Sequence, residues 1–254
     1  MNWLNTLSKI PRYVVYFSRA CVVFANPVQV IWHYVRRTSP RKGCVKIRNG
    51  PTIHLSGHPH DTITVFVIFA KRDYGVVERD AVVVDVGANI GVFTLYAAHA
   101  GARRVFAFEP NGEAHDVLKR NINENRLGST VVVQRRAVFD ADDQVLSIPK
   151  SASPYNDTRA RVVSSDEDLV NTISLAGILD GVDSSHVDLL KCDCEGAEYP
   201  FLMGTSATEL SRLRRIRMEY HEGPLNGLIQ MLAQNGLRQT HRDDDGAILW
   251  FARA

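Results

Sequence analysis

The segment Asp85-Val86-Gly87-Ala88-Asn89-Ile90-Gly91 directly continues the apolar run Val82-Val83-Val84. Gly87 permits a tight turn after a buried strand, and Gly91 permits close approach of a helix or a ligand. Such a turn offers the free N–H groups of the following helix to whatever binds there. The spacing is G-x-x-x-G, not the G-x-G-x-x-G that brings a helix N-terminus against a pyrophosphate. Asp85, two residues before the first glycine, suits a cationic sulfonium cofactor with an amino-acid tail better than a phosphate. Glu109 closes a second apolar run, Val105-Phe106-Ala107-Phe108, and Pro110-Asn111 follows it. A carboxylate at a strand end can accept both hydroxyl protons of a ribose. Asp85, Gly87, Asn89, Gly91, Glu109 and Asn111 are therefore candidate cofactor-binding residues.

A second group contains Lys191, Asp193, Glu195 and Glu198. Asp193 ends another apolar run, and three carboxylates this close repel unless paired, protonated or bridged by a cation. Asp193 is read as a general base for an acceptor hydroxyl. Glu195 either shares that role, joins Asp193 in a magnesium site, or caps a helix and pairs with Lys191. Magnesium is possible but not expected, and Glu198 is read as structural. The third group is Glu219-Tyr220-His221, in which His221 is suited to take a proton near neutral pH. The candidate catalytic residues are His221, Asp193 and Glu195.

These residues need strand ends to hold them. From Ala81 onward, segments read as strands at 82–86, 104–108, 130–134, 187–193 and 215–220 alternate with segments read as helices. That alternation predicts a mostly parallel sheet covered by helices on both faces. The first helix is expected over 89–100 and the second over 113–125. An extra strand is expected over 144–149, and the stretch 151–168 is read as polar and irregular. Residues 237–242 and 247–252 are expected to close the sheet as an antiparallel hairpin, which makes seven strands. In such sheets ligands bind beyond the strands' carboxyl ends.

The charge is divided unevenly. The first 60 residues carry nine Lys and Arg and no Asp or Glu, while the remainder carries 21 Lys and Arg against 28 acids, for a net +2. Residues 1–43 are read as a basic, aromatic-rich extension and 44–254 as the catalytic domain. Within the extension, helices are expected on either side of Pro27. Trp3, Tyr13, Tyr16, Phe17, Phe24, Trp32 and Tyr34 are interleaved with Arg and Lys, which suits an anionic membrane surface as well as a packed helical extension. The uncharged stretch 20–35 is shorter than the ~20 apolar residues of a spanning helix. Four cysteines, two of them flanking Asp193, read as small buried side chains of a reducing compartment. The expected location is cytoplasmic, with peripheral attachment to the inner face of the membrane.

Taken in order, Val84 to Gly91, Phe106 to Asn111, Asp188 to Glu198 and Glu219-Tyr220-His221 resemble the FkbM family of methyltransferases. Asp73-Tyr74-Gly75 is similar as well. The resemblance covers roughly residues 60–240. It implies a class I, Rossmann-like methyltransferase fold, S-adenosylmethionine as cofactor, and O-methylation of a sugar, glycolipid or natural product. It also implies that Asp85, Gly87, Asn89, Gly91 and Glu109 hold the cofactor, with Ala137 at the adenine and Tyr74 as a further cofactor-binding residue. Cys192 and Cys194 depart from it, since the family more often has aliphatic residues there.

Two other readings compete with this one. A nucleotide-dependent oxidoreductase would use the same sheet, but the second glycine of its fingerprint is missing. A non-catalytic module would bind the cofactor and dock on membranes through the basic arm. A nucleic-acid substrate is disfavoured because the sequence has no Asn-Pro-Pro-Tyr base-flipping motif.

Overall fold

The computed structural model describes residues 10–40, 43–149, 167–243 and 245–253. The segment 151–166, read above as irregular, lies outside them. The chain forms two compact units, 1–73 and 74–254.

In the first unit, α1 (Ile10–Val23) and α2 (Pro27–Arg36) are separated by a short break. Asn26 caps α2, its side chain accepting from the Gln29 N–H, and Pro27 takes the first helical turn, where no N–H is needed. β1 (Cys44–Lys46) and β2 (Thr52–His54) form an antiparallel hairpin, with Asn49 at φ 52° in its turn. α3 (Asp61–Phe66) runs on into a π-helical turn, Val67–Lys71. Phe66 is the packing centre, with the rings of Phe17, Phe24 and Tyr34 around it. No described helix is long and apolar enough to cross a membrane.

The second unit is an α/β sandwich around a seven-stranded sheet. Its strands are β3 (Val82–Val86), β4 (Arg104–Phe108), β5 (Val131–Gln134), β9 (Leu189–Cys192), β10 (Arg215–Glu219), β11 (Leu237–Asp243) and β12 (Ile248–Arg253). They lie in the order β11-β12-β10-β9-β3-β4-β5. All neighbours are parallel except β12, which is antiparallel to both β10 and β11. This is the class I methyltransferase arrangement expected from the sequence. β3 sits at the centre with every residue buried, its four valines as expected of a central parallel strand and Asp85 among them. α4 (Val92–His99) and α5 (Gly112–Glu124) carry the chain from β3 through β4 towards β5. The chain then crosses to β9, so the order reverses beside β3 and opens a crevice there.

The sheet differs from expectation in its details. α4 begins at Val92, not Asn89, because Asn89 and Gly91 both have positive φ and cannot start a right-handed helix. A small separate sheet, β6 (Ala137–Val138), β8 (Glu167–Ile173) and β7 (Val145–Pro149), contains one strand foreseen from sequence and two that were not. Three short helices, α6 (Leu175–Gly181), α7 (Glu198–Met203) and α8 (Ala207–Ser211), flank β9 in sequence, and α9 (Leu225–Gln234) precedes the closing hairpin.

Candidate active site

The carboxyl ends of β3, β4, β9 and β10 each carry a polar group. A Cβ on Gly87 (φ 68°) would lie 1.7 Å from the Asp193 carbonyl oxygen, so only glycine fits where the ends of β3 and β9 touch. The N–H groups of Gly87 and Ala88 donate to the Phe108 carbonyl, each at 3.0 Å, and tie the loop to β4. Two further backbone N–H groups hold Glu109. Asn89 donates to its Oε2 at 2.7 Å and Asn111 to its Oε1 at 2.8 Å. Burial pushes this carboxyl up to about 7, against the pull of those two donors. Both oxygens are thus oriented by the backbone, and each keeps a lone pair for a hydroxyl donor, which fits the diol of a ribose. Asn111 uses its own side chain to cap α5, accepting from the Ala114 N–H at 3.0 Å.

Beneath this loop lies a buried ion pair. Asp85 is fully buried; its Oδ2 accepts from the Thr94 hydroxyl at 2.6 Å, and its Oδ1 lies 3.2 Å from Lys191 Nζ. Lys191 also donates to the carbonyls of Val86 at 3.1 Å and Gly87 at 2.7 Å. Burial alone would lower the pKa of this ammonium, but the Asp85 and Asp193 carboxylates outweigh it and raise the value. Asp85 therefore braces the glycine loop from below.

The third feature is a cluster at the ends of β9 and β10. The Tyr74 hydroxyl lies 3.1 Å from Asp193 Oδ2 and 3.4 Å from Glu219 Oε2. Lys191 Nζ is 3.8 Å from the same Asp193 oxygen. The Asp193 side chain keeps 31% of its surface exposed, so an acceptor can reach it. Burial, and then the charge of Asp193, pushes Glu219 up to about 8. His221 is fixed at both nitrogens: Nδ1 is 2.9 Å from Glu198 Oε1, and Nε2 is 3.4 Å from Glu195 Oε2. The bond to Glu198 lifts the imidazole to about 9 in spite of burial. Glu198 is completely buried. Burial pushes its carboxyl up, but hydrogen bonds from the His221 ring and backbone outweigh that and leave it lowered. At neutral pH Glu219 therefore carries a proton and His221 is an imidazolium.

The sequence profile of the FkbM methyltransferase domain matches residues 85–238. The chain belongs to this methyltransferase family. Among its relatives, the 31-O-demethyl-FK506 methyltransferase FkbM of Streptomyces tacrolimicus is 26% identical over 236 residues, which are 79% of this chain and 90% of that protein. The AMB antimetabolite synthetase AmbE of Pseudomonas aeruginosa is 28% identical over 219 residues, which are 68% of this chain and 10% of that much longer protein. Among solved structures, a ribosomal protein L11 methylase from Lactobacillus delbrueckii is 18% identical with a TM-score of 0.45, covering 78% of this chain and 79% of that one. The magnesium protoporphyrin IX methyltransferase ChlM of Synechocystis, solved with bound SAM, is 13% identical with a TM-score of 0.40, covering 69% and 71%.

The FkbM match spans every candidate site residue except Tyr74. The structure brings Asp193 and His221 together, and adds Glu219, which the sequence reading named beside His221 but gave no role. Strand parity is the signal that points to it: Cys192 and Met218 are register partners, so Asp193 and Glu219 end adjacent strands. Glu195, read as a companion of Asp193, instead faces His221, and Lys191 pairs with Asp85 and Asp193. Ala137 is buried on β6 beside β8. Among the described residues, Asp193, Glu219 and His221 are the group whose ligand atoms all lie within 4.8 Å of one another. Both His221 nitrogens face carboxylates, and the Lys191 ammonium neighbours Asp193.

Proposed function

We propose that this chain methylates a hydroxyl oxygen of a sugar, glycolipid or related natural product, using S-adenosylmethionine. The carrying observation is the pairing of two sites at strand ends on either side of β3. Glu109 is fixed by two backbone N–H groups to receive a diol, and Asp193 is open to an acceptor. The bound cofactor supplies an electrophilic methyl group. The chain's own part is to align the acceptor oxygen and take its proton, and alignment carries most of the rate. Asp193 accepts that proton. The Tyr74 hydroxyl holds Asp193 in place and links it to Glu219, while the Lys191 ammonium offsets its charge. His221, already an imidazolium, orients Glu195 and Glu198 and does not act as the base. The name of the Streptomyces relative, a demethyl-compound O-methyltransferase, supports oxygen as the acceptor atom.

Calorimetry tests the cofactor assignment. The protein is expected to bind S-adenosylmethionine and S-adenosylhomocysteine and not NAD. Glu109→Ala is expected to weaken both, each lost charge-assisted hydrogen bond costing about 1.5–3 kcal/mol. Wild-type affinity in that variant would move the ribose elsewhere. Tight binding with no turnover on any hydroxylated acceptor would favour a non-catalytic module.

A further inference from the structure

The first unit carries apolar surface on two sides. Its inner side is ordinary core, with Ala20, Phe24, Val30 and Tyr34 buried. The outer side is unusual. Along α1, Val14 and Val15 are 59% and 50% exposed, and Val22, two turns further on, is 73% exposed. Along α2, Val28, Trp32 and Val35 are 77%, 58% and 61% exposed. Val28, Trp32 and Val35, at i, i+4 and i+7, form one stripe of α2; on α1, Val15 and Val22 share a face at i and i+7, with Val14 at its edge and exposed Ser18 between them. Single exposed apolar residues are normal on protein surfaces, but apolar groups of this size on two consecutive helices mark an interaction face.

The charge around these stripes selects the partner. No acid occurs before Asp61, whereas nine Lys and Arg do. Arg36 stacks its guanidinium on the Trp32 ring, 5.1 Å from the centroid. An exposed tryptophan under an arginine places an amphipathic ring and a cation at the same depth, as the boundary between headgroups and acyl chains requires. Neither helix is long and apolar enough to span, so the stripes would lie in the plane of the surface.

We propose that the outer faces of α1 and α2 form a docking surface for an anionic lipid bilayer, with Val14, Val15, Val22, Val28, Trp32 and Val35 entering the interface and the exposed Arg12 and Arg36 contacting anionic headgroups. The inference is independent of the methyl acceptor. Each basic residue near an anionic leaflet raises partitioning roughly fivefold. The electrostatic share is screened by salt within a Debye length of about 10 Å at moderate ionic strength.

The test uses the full chain with phosphatidylcholine vesicles that contain or lack the anionic lipid phosphatidylglycerol. Flotation with the anionic vesicles, release in 0.5 M salt (a Debye length of only about 4 Å) and a blue-shifted tryptophan emission on binding are expected. The surface variant Val22→Ser/Val28→Ser/Trp32→Ser should lose at least tenfold in partitioning while keeping its circular dichroism and its affinity for S-adenosylmethionine. Equal binding to neutral and anionic vesicles would overturn the proposal. So would an unchanged triple variant, or a protein that stays off every vesicle and sediments as a dimer which the triple variant dissociates; that last result would make the face an interface between two copies.

Discussion

Replacing Asp193 by asparagine is expected to lower turnover by about a hundred- to ten-thousand-fold, the range for loss of a positioned proton acceptor, with cofactor affinity nearly unchanged. Asparagine keeps the shape and still accepts from Tyr74, so the loss would report proton transfer and not packing. Tyr74→Phe should give a smaller loss, because it removes the link between Asp193 and Glu219 but leaves the acceptor carboxylate. The cluster also sets a pH profile. Glu219, pushed up to about 8 by burial and the neighbouring Asp193, is protonated below that value and carries a second negative charge above it. Turnover should therefore climb through about pH 8, as Glu219 becomes able to share the transferred proton. His221, raised to about 9 mainly by its bond to Glu198, loses its proton beyond that point. The bridge to Glu195 and Glu198 then breaks, and turnover should fall. Glu219→Gln should remove the rising limb. EDTA should leave the profile in place; if it abolishes activity and magnesium restores it, the cluster is a cation site. Normal turnover in both Asp193→Asn and Glu219→Gln would leave the reaction to alignment alone.

The centre of the sheet was legible because its strands are short, mostly apolar and β-branched segments bounded by turn residues. The Val82–Val86 run is the best example, buried at all five positions. Glu109 was legible because its place at the end of such a run is a local property. What sequence reading missed is non-local or weakly patterned. β8 begins Glu167-Asp168 and leaves Leu169 58% exposed, so its first half resembles a loop until β7 supplies its partner. Glu198 and His221 are 23 residues apart and meet through α7 and the end of β10, and no spacing rule connects them. Lys191 is closer in sequence to Glu195, yet its strand position makes it the register partner of Asp85, and the parallel ladder decides the pairing.

Lys191→Met should be the most destabilising single substitution at this site, costing about 3–5 kcal/mol, the usual penalty for leaving one member of a buried ion pair unpaired. The geometry makes the penalty large. Asp85 is fully buried, and without Lys191 its charge keeps only the Thr94 hydroxyl. The carbonyls of Val86 and Gly87 lose their ammonium donor at the same time, which loosens the turn that holds Asn89 against Glu109. Against a total stability of about 5–15 kcal/mol, urea unfolding should show a much lower midpoint with an unchanged slope. Removing the stranded charge as well should recover part of the loss. Asp85→Asn in the Lys191→Met background would then be less destabilised than Lys191→Met alone, a coupling that only interacting neighbours show. Cofactor affinity should fall in the single variant and stay low in the double, because the loop carbonyls remain without their donor in both. A Lys191→Met protein within about 1 kcal/mol of wild type, the scale of an exposed pair, would mean that water reaches Asp85 and that the loop stands without its buried brace.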